Sequence, residues 1–148
     1  MRFHHFLPAL LAVSVSVAAH AADVTVSNPW IRASVQGQGS TGAFMTITAR
    51  EPLVLTGVST PVARDAEVHE MRMDGDVMRM GALPAGLQLA PGKAVELRPG
   101  SYHIMLNGLK APLQPSTVVP MTLQFRNAAG QSSELRLSVP VATKRPAS

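Results

Sequence analysis

Beyond residue 21 the chain holds only two histidines, and each opens the same pattern: His69-Glu70-Met71 and His103-Ile104-Met105. Residues i and i+2 of a strand point to one face. Each segment can therefore offer an imidazole nitrogen and a thioether sulfur in the same direction. A third cluster, Met78-Arg79-Met80, lies close by. Imidazole plus thioether, with no thiolate, is a donor set suited to Cu(I). Zn(II) prefers Cys, His or carboxylate, and Cu(II) prefers tetragonal N and O ligands, so thioethers select against both.

Local spacing brings two of these donors together. Asp74-Gly75 is a strong signal for a two-residue hairpin loop. With those two residues as the loop, Met73 pairs with Asp76, Met71 with Met78, and His69 with Met80. Directly opposed residues share a face, with Cβ atoms about 4.5–5.5 Å apart, so His69 and Met80 are expected as cross-strand neighbours. His103 and Met105 must be brought to the hairpin by tertiary folding. If they are, one ion meets two imidazoles and two thioethers, a neutral tetrahedral set acceptable to d¹⁰ Cu(I), one ion per chain. Met45 and Met121, in apolar alternating strands, read as core filling. Met71 shares the face of His69 and reads as packing around the site.

These donors need strands to position them. Pro and Gly punctuate the chain, and short apolar-polar alternations recur between them. The candidate strands are Val24–Ser27, Trp30–Ser34, Ala43–Ala49, Leu53–Ser59, Glu67–Met73, Val77–Met80, Ala94–Leu97, Ser101–Leu106, Val118–Phe125 and Glu134–Val139. Short strands with turn signals between them predict an all-β sandwich or barrel. Residues 81–93 and 107–116 read as loops, and Ala128-Ala129-Gly130 as a hairpin tip. No helix of ordinary length is expected.

Residues 1–21 read as a secretory signal peptide: a short basic start, an apolar run from Phe6 to Ala19, and Ala19-His20-Ala21 as the cleavage pattern. Residues 22–141 form the expected single β-sandwich domain, and 142–148 a short polar tail. No later stretch is long and apolar enough to span a bilayer. The whole chain carries a net charge of +4, and removal of Arg2 with the leader brings it to +3. The basic residues are scattered, so nucleic-acid binding is not supported. Five of the nine acidic residues, Asp65, Glu67, Glu70, Asp74 and Asp76, fall near the first His-x-Met. They read as a solvated hairpin surface, with an electrostatic docking patch as the alternative. There is no cysteine, which excludes disulfides, thiol redox chemistry and blue-copper electron transfer. No nucleophilic triad or phosphate-cradling glycine motif is present, so an enzyme is not expected.

The His69-x10-Met80 segment followed by His103-x-Met105 resembles the periplasmic copper chaperones called PCuAC. Trp30-Ile31-Arg32 is similar to the family's early W-x-R, and Gly42-Ala43-Phe44-Met45 to its G-A-[YF]-M strand. Pro99-Gly100-Ser101-Tyr102-His103-Ile104-Met105-Leu106-Asn107-Gly108-Leu109-Lys110 is similar to its P-G-x-[YH]-H-x-M-L-x-x-L run. The resemblance covers about Val24 to Val141. Two departures stand out. The 22 residues between Met80 and His103 are one more than the usual spacing, and the tail lacks the His and Met of members that bind a second copper there.

The resemblance implies a cupredoxin-like Greek-key β-sandwich, and with the signal peptide it points to the periplasm; a monomer without membrane spans after signal cleavage is the simplest expectation. It implies one Cu(I) held by His69, Met80, His103 and Met105. It also implies delivery of copper by ligand exchange to the CuA centre of cytochrome c oxidase, with a CuA-bearing oxidase subunit and/or a Sco-type protein as partners. A periplasmic copper buffer or resistance protein is the alternative, and a metal-free Ig-like interaction module a third reading.

Overall fold

The computed structural model describes residues 21–147. The expected leader, residues 1–21, lies outside them but for Ala21, which forms an isolated parallel bridge to Glu134. Ten strands follow: β1 (Val24–Arg32), β2 (Ser40–Ala49), β3 (Leu53–Ser59), β4 (Ala63–Asp74), β5 (Val77–Ala82), β6 (Leu87–Leu89), β7 (Val95–Leu97), β8 (His103–Leu109), β9 (Val118–Asn127) and β10 (Ser132–Ala142). Among the described residues there is no helix. The expected all-β class is therefore borne out.

The strands are hydrogen-bonded in the order β5-β4-β8-β2-β1-β10-β9-β3-β6, and β7 also pairs with β2. A further pairing of Val58 with Ala66 joins β3 to β4, which closes the sheet into a barrel. β1 and β10 run parallel, with Ile31 opposite Val141. Inward-facing side chains at alternate positions fill the interior: Ile31, Met45, Ile47, Leu55, Ile104, Leu106, Met121, Leu123, Phe125 and Val139 are all buried. Met45 and Met121 are core residues, as their alternating strands predicted. Burial of such side chains contributes about 1.5–3 kcal/mol each relative to exposure.

Two differences from the expected strands have clear causes. A break was expected at Asn28-Pro29, yet β1 runs through it. The ladder to β2 takes up one extra residue between Ser27 and Trp30, where Asn28 adopts a φ of 51°. This bulge reverses the strand's alternation. Val26 faces the core opposite Ile47 before it, and Ile31 faces the core opposite Ala43 after it. Trp30 is thereby turned to the outer face beside Phe44. The second difference is β6, which was read as loop. Leu87-Gln88-Leu89 shows the buried-exposed-buried pattern of an edge strand on β3, but three residues carry too little periodicity to stand out.

β7 and β8 are two parts of one strand laid along β2. Val95–Leu97 pairs with Ile47–Met45, and Ile104–Asn107 with Ala43–Ser40. Between them the chain leaves the ladder over Arg98–Tyr102, closed by an amide hydrogen bond from Arg98 to the Tyr102 carbonyl. Pro99-Gly100 is the turn signal that makes this excursion. At the C-terminal end, Arg145 Nη1 lies 3.2 Å from Glu96 Oε1.

Candidate metal centre

The β4–β5 hairpin turns one position later than the Asp74-Gly75 signal suggested. Asp74 pairs with Val77, so Gly75 and Asp76 are the loop. Gly75 has a φ of 63° and Asp76 is not among the positive-φ residues. A positive φ at the first loop position alone is the type II′ pattern, which places glycine first. The Asp-Gly reading had placed glycine second. As a result Met73 opposes Met78, Met71 opposes Met80, and His69 opposes Ala82. The expected direct pairing of His69 with Met80 is therefore corrected: Met80 sits two pairs further out, opposite Met71. The change preserves side-chain parity, so all these residues stay on the expected face.

Tertiary folding supplies the missing juxtaposition. β8 lies on the other side of β4, and His69 and His103 are direct partners in its ladder. Their ring centres are 5.7 Å apart. Met80 reaches across from β5, and its Sδ lies 3.0 Å from His103 Nε2. Met105 follows His103 by two residues on β8. It is half-buried and lies opposite Glu67 of β4 and Gly42 of β2.

Hydrogen bonds fix each ring. His103 Nδ1 is 3.0 Å from the Ser101 carbonyl oxygen. A carbonyl only accepts, so Nδ1 carries a proton, and Nε2 is the ring nitrogen that faces the Met80 sulfur. His69 Nε2 is 2.9 Å from Glu67 Oε2. The carboxylate accepts there too, so Nε2 carries a proton and His69 Nδ1 is the ring nitrogen left for another partner. That atom is buried and has no hydrogen-bond partner. An orphaned buried nitrogen is costly unless something binds it. An imidazole-bound metal lies about 2 Å from its nitrogen, so rings 5.7 Å apart can share one ion. The donor chemistry thus fits a soft monovalent metal. Among the described residues, no cluster of three or more His, Asp or Glu side chains is placed to hold a harder ion.

Behind His103 stands an aromatic platform outside the main core. Trp30 and Phe44 are each only 4% exposed, with ring centres 4.8 Å apart. The Arg32 guanidinium lies 5.9 Å and 5.5 Å from their centres, and Phe44 is 6.5 Å from the His103 ring. The aromatic pair adds about 0.5–1.5 kcal/mol beyond its buried area. Gly42 permits this arrangement, because a Cβ there would stand 2.7 Å from Phe44 Cζ. In the sequence, only the family resemblance singles out Trp30, Arg32, Gly42 and Phe44. Glu67 and Ser101 were not singled out as site residues, although Glu67 sits two residues before His69 on the same face.

The acidic cluster around the hairpin is largely paired within the chain. Asp65 meets Arg64 and the Asn107 amide, Glu70 meets Arg72, and Asp74 meets Arg79. The Asn107 hydrogen bond first, and Arg64 second, hold the Asp65 carboxyl below the usual carboxylate range. The solvated-surface reading accounts for these residues.

The fold recurs in known proteins. The apo PCuAC domain from PmoF1 superposes with a TM-score of 0.66 at 21% identity, over 84% of this chain and 97% of that one. The copper-bound PCuAC domain from PmoF2 gives 0.65 at 22% identity, over 86% and 99%. The Cu(I) form of DR1885 from Deinococcus radiodurans gives 0.61 at 24% identity, over 86% and 82%. In sequence, the putative lipoprotein Lxx21020 of Leifsonia xyli subsp. xyli (strain CTCB07) is 32% identical over 108 residues, 72% of this chain. The chain spans 64% of that relative's length. Among the described residues no helix is long and apolar enough to cross a membrane. The resemblance to PCuAC is borne out in the cupredoxin-like fold, and since residues 24–141 match the family model described as putative lipoprotein LpqE-like, the chain belongs to that LpqE-like family.

Proposed function

We propose that this chain is an exported Cu(I) carrier, not an enzyme, whose ion is held by His69, Met80, His103 and Met105. The observation that carries the reading is the state of the two imidazoles. His103 directs Nε2 at the Met80 sulfur, 3.0 Å away, and His69 keeps a buried nitrogen with no partner. The PmoF2 and DR1885 domains that share the fold are described as copper-bound and Cu(I) forms. All four proposed donors are neutral, so the complex keeps the ion's charge. Glu67, held to His69, places a carboxylate beside it.

The mechanism is ligand exchange. Met80 is half exposed on the hairpin and is the donor an acceptor reaches first. Its thioether is displaced by an incoming thiolate, then the histidines are released in turn. Thiolates are stronger donors to Cu(I) than thioethers, so transfer to a Cys-bearing site runs downhill. The proposed acceptor is the CuA centre of cytochrome c oxidase, directly or through a Sco-type protein.

Deletion of the gene tests delivery. Loss of CuA-oxidase activity with unchanged copper tolerance is the expected result. Copper sensitivity with a normal oxidase would contradict delivery and leave a buffer that uses the same site.

A further inference from the structure

The β4–β5 hairpin has two unlike faces. One carries charges paired along each strand or across the turn: Glu70 with Arg72, and Asp74 with Arg79. The other carries four thioethers, because Met71 opposes Met80 and Met73 opposes Met78. Strand parity puts His69 on this same face, one step further in. Met73, Met78 and Met80 are 58%, 51% and 49% exposed, and with Val77 they are four of the six large hydrophobic side chains left exposed among the described residues. Met45 and Met121 fill the core, as expected. At the hairpin tip it fills no core.

We propose that Met71, Met73 and Met78 form a second, weaker Cu(I) site at the hairpin tip, through which the ion enters and leaves the His69–His103 centre. Directly opposed Cβ atoms lie about 4.5–5.5 Å apart, and each thioether swings on three rotatable bonds, so three sulfurs can close on one ion. An all-thioether set is softer than the His-Met set and holds no nitrogen, so it is selective for Cu(I) and insensitive to acid. The sulfurs form a ladder from solvent to Met80, which already touches His103. An ion can move along it by exchanging one thioether at a time without meeting water unligated. The proposal deepens the reading of the chain as a Cu(I) carrier and rests on it for the direction of transfer.

The test is an anaerobic Cu(I) titration of the protein with ¹³C-labelled methionine methyl groups, beside a Met73→Leu/Met78→Leu variant. Leucine conserves volume at exposed positions, so folding is retained. The wild type is expected to bind a first equivalent that shifts the Met80 and Met105 methyls. A second, weaker equivalent is expected to shift those of Met71, Met73 and Met78. The variant is expected to lose the second equivalent and keep the first unchanged. A wild type that binds one equivalent only, or tip methyls that never move, would overturn the proposal and leave the tip an apolar contact surface for a protein. Tip shifts without any first equivalent would leave this site standing and sink the carrier reading instead.

Discussion

His69 and His103 face each other directly across β4 and β8, and each commits one ring nitrogen to an oxygen acceptor, while the other nitrogen is buried without a partner in His69 and meets the Met80 sulfur in His103. The acceptors differ, a Glu67 carboxylate for one and a Ser101 backbone carbonyl for the other. The remaining nitrogens therefore differ as well, Nδ1 in His69 and Nε2 in His103. With each ring anchored through a different nitrogen, the pair is arranged to turn unlike nitrogens, Nδ1 of His69 and Nε2 of His103, to one shared ion.

Glu67 is hydrogen-bonded to His69 and would act on an ion at the proposed site through that ring. Partners of this kind typically change metal affinity by about 10–100-fold when removed. Glu67→Ala is expected to weaken Cu(I) binding within that range. Glu67→Gln keeps an accepting oxygen and should retain most of the affinity. Competition with a Cu(I) chelator measures both, and equal losses in the two variants would show that charge matters, not the tautomer.

The sulfur donors can be separated from core methionines. Met105→Leu is expected to weaken Cu(I) binding by about tenfold or more, as loss of a soft ligand requires. Met121→Leu, buried in the core opposite Leu137, is expected to leave it unchanged. Equal affinities would refute the assignment of Met105.

The aromatic platform has its own test. Gly42→Ala forces a methyl group against the Phe44 ring, which Trp30 and Arg32 hold in place. Overpacking of this kind costs about 1–3 kcal/mol, readable as a lower denaturant midpoint. A displaced Phe44 should also move the His103 ring resonances, since the two rings are neighbours. Unchanged stability would show that Phe44 yields freely.

Much of this centre was legible in the sequence, for reasons particular to each residue. His69, His103 and Met105 declared themselves by the repeated His-x-Met offset, because a strand's period of two converts that spacing into a shared face. Met80 was placed on the correct face but beside the wrong partner. Asp74-Gly75-Asp76 admits two loop positions, and only the sign of φ at Gly75 distinguishes them. The juxtaposition of β8 with β4 was invisible locally, since it depends on how β2 and β8 pair around the barrel. Trp30 was hidden for a related reason: a one-residue bulge at Asn28 decides which of Trp30 and Ile31 faces inward. β6 was too short to show a period at all.

Acid should weaken the centre. A ligating imidazole must be unprotonated, so protons compete with the metal, and histidine changes charge between about pH 5 and 8. Cu(I) affinity is expected to fall from pH 7 toward about pH 5. The thioether tip site should not respond over the same range. A flat profile for the tighter site would argue against His69 and His103 as ligands.

The central claim is that His69 and His103 hold one Cu(I) together with Met80 and Met105. It is tested most directly by anaerobic titration of residues 22–148 with Cu(I) against a chromogenic chelator, beside a His69→Ala/His103→Ala double variant. The account predicts one tightly bound equivalent in the wild type that the double variant loses. Tight binding of equal strength in both proteins, or none in either, would contradict it.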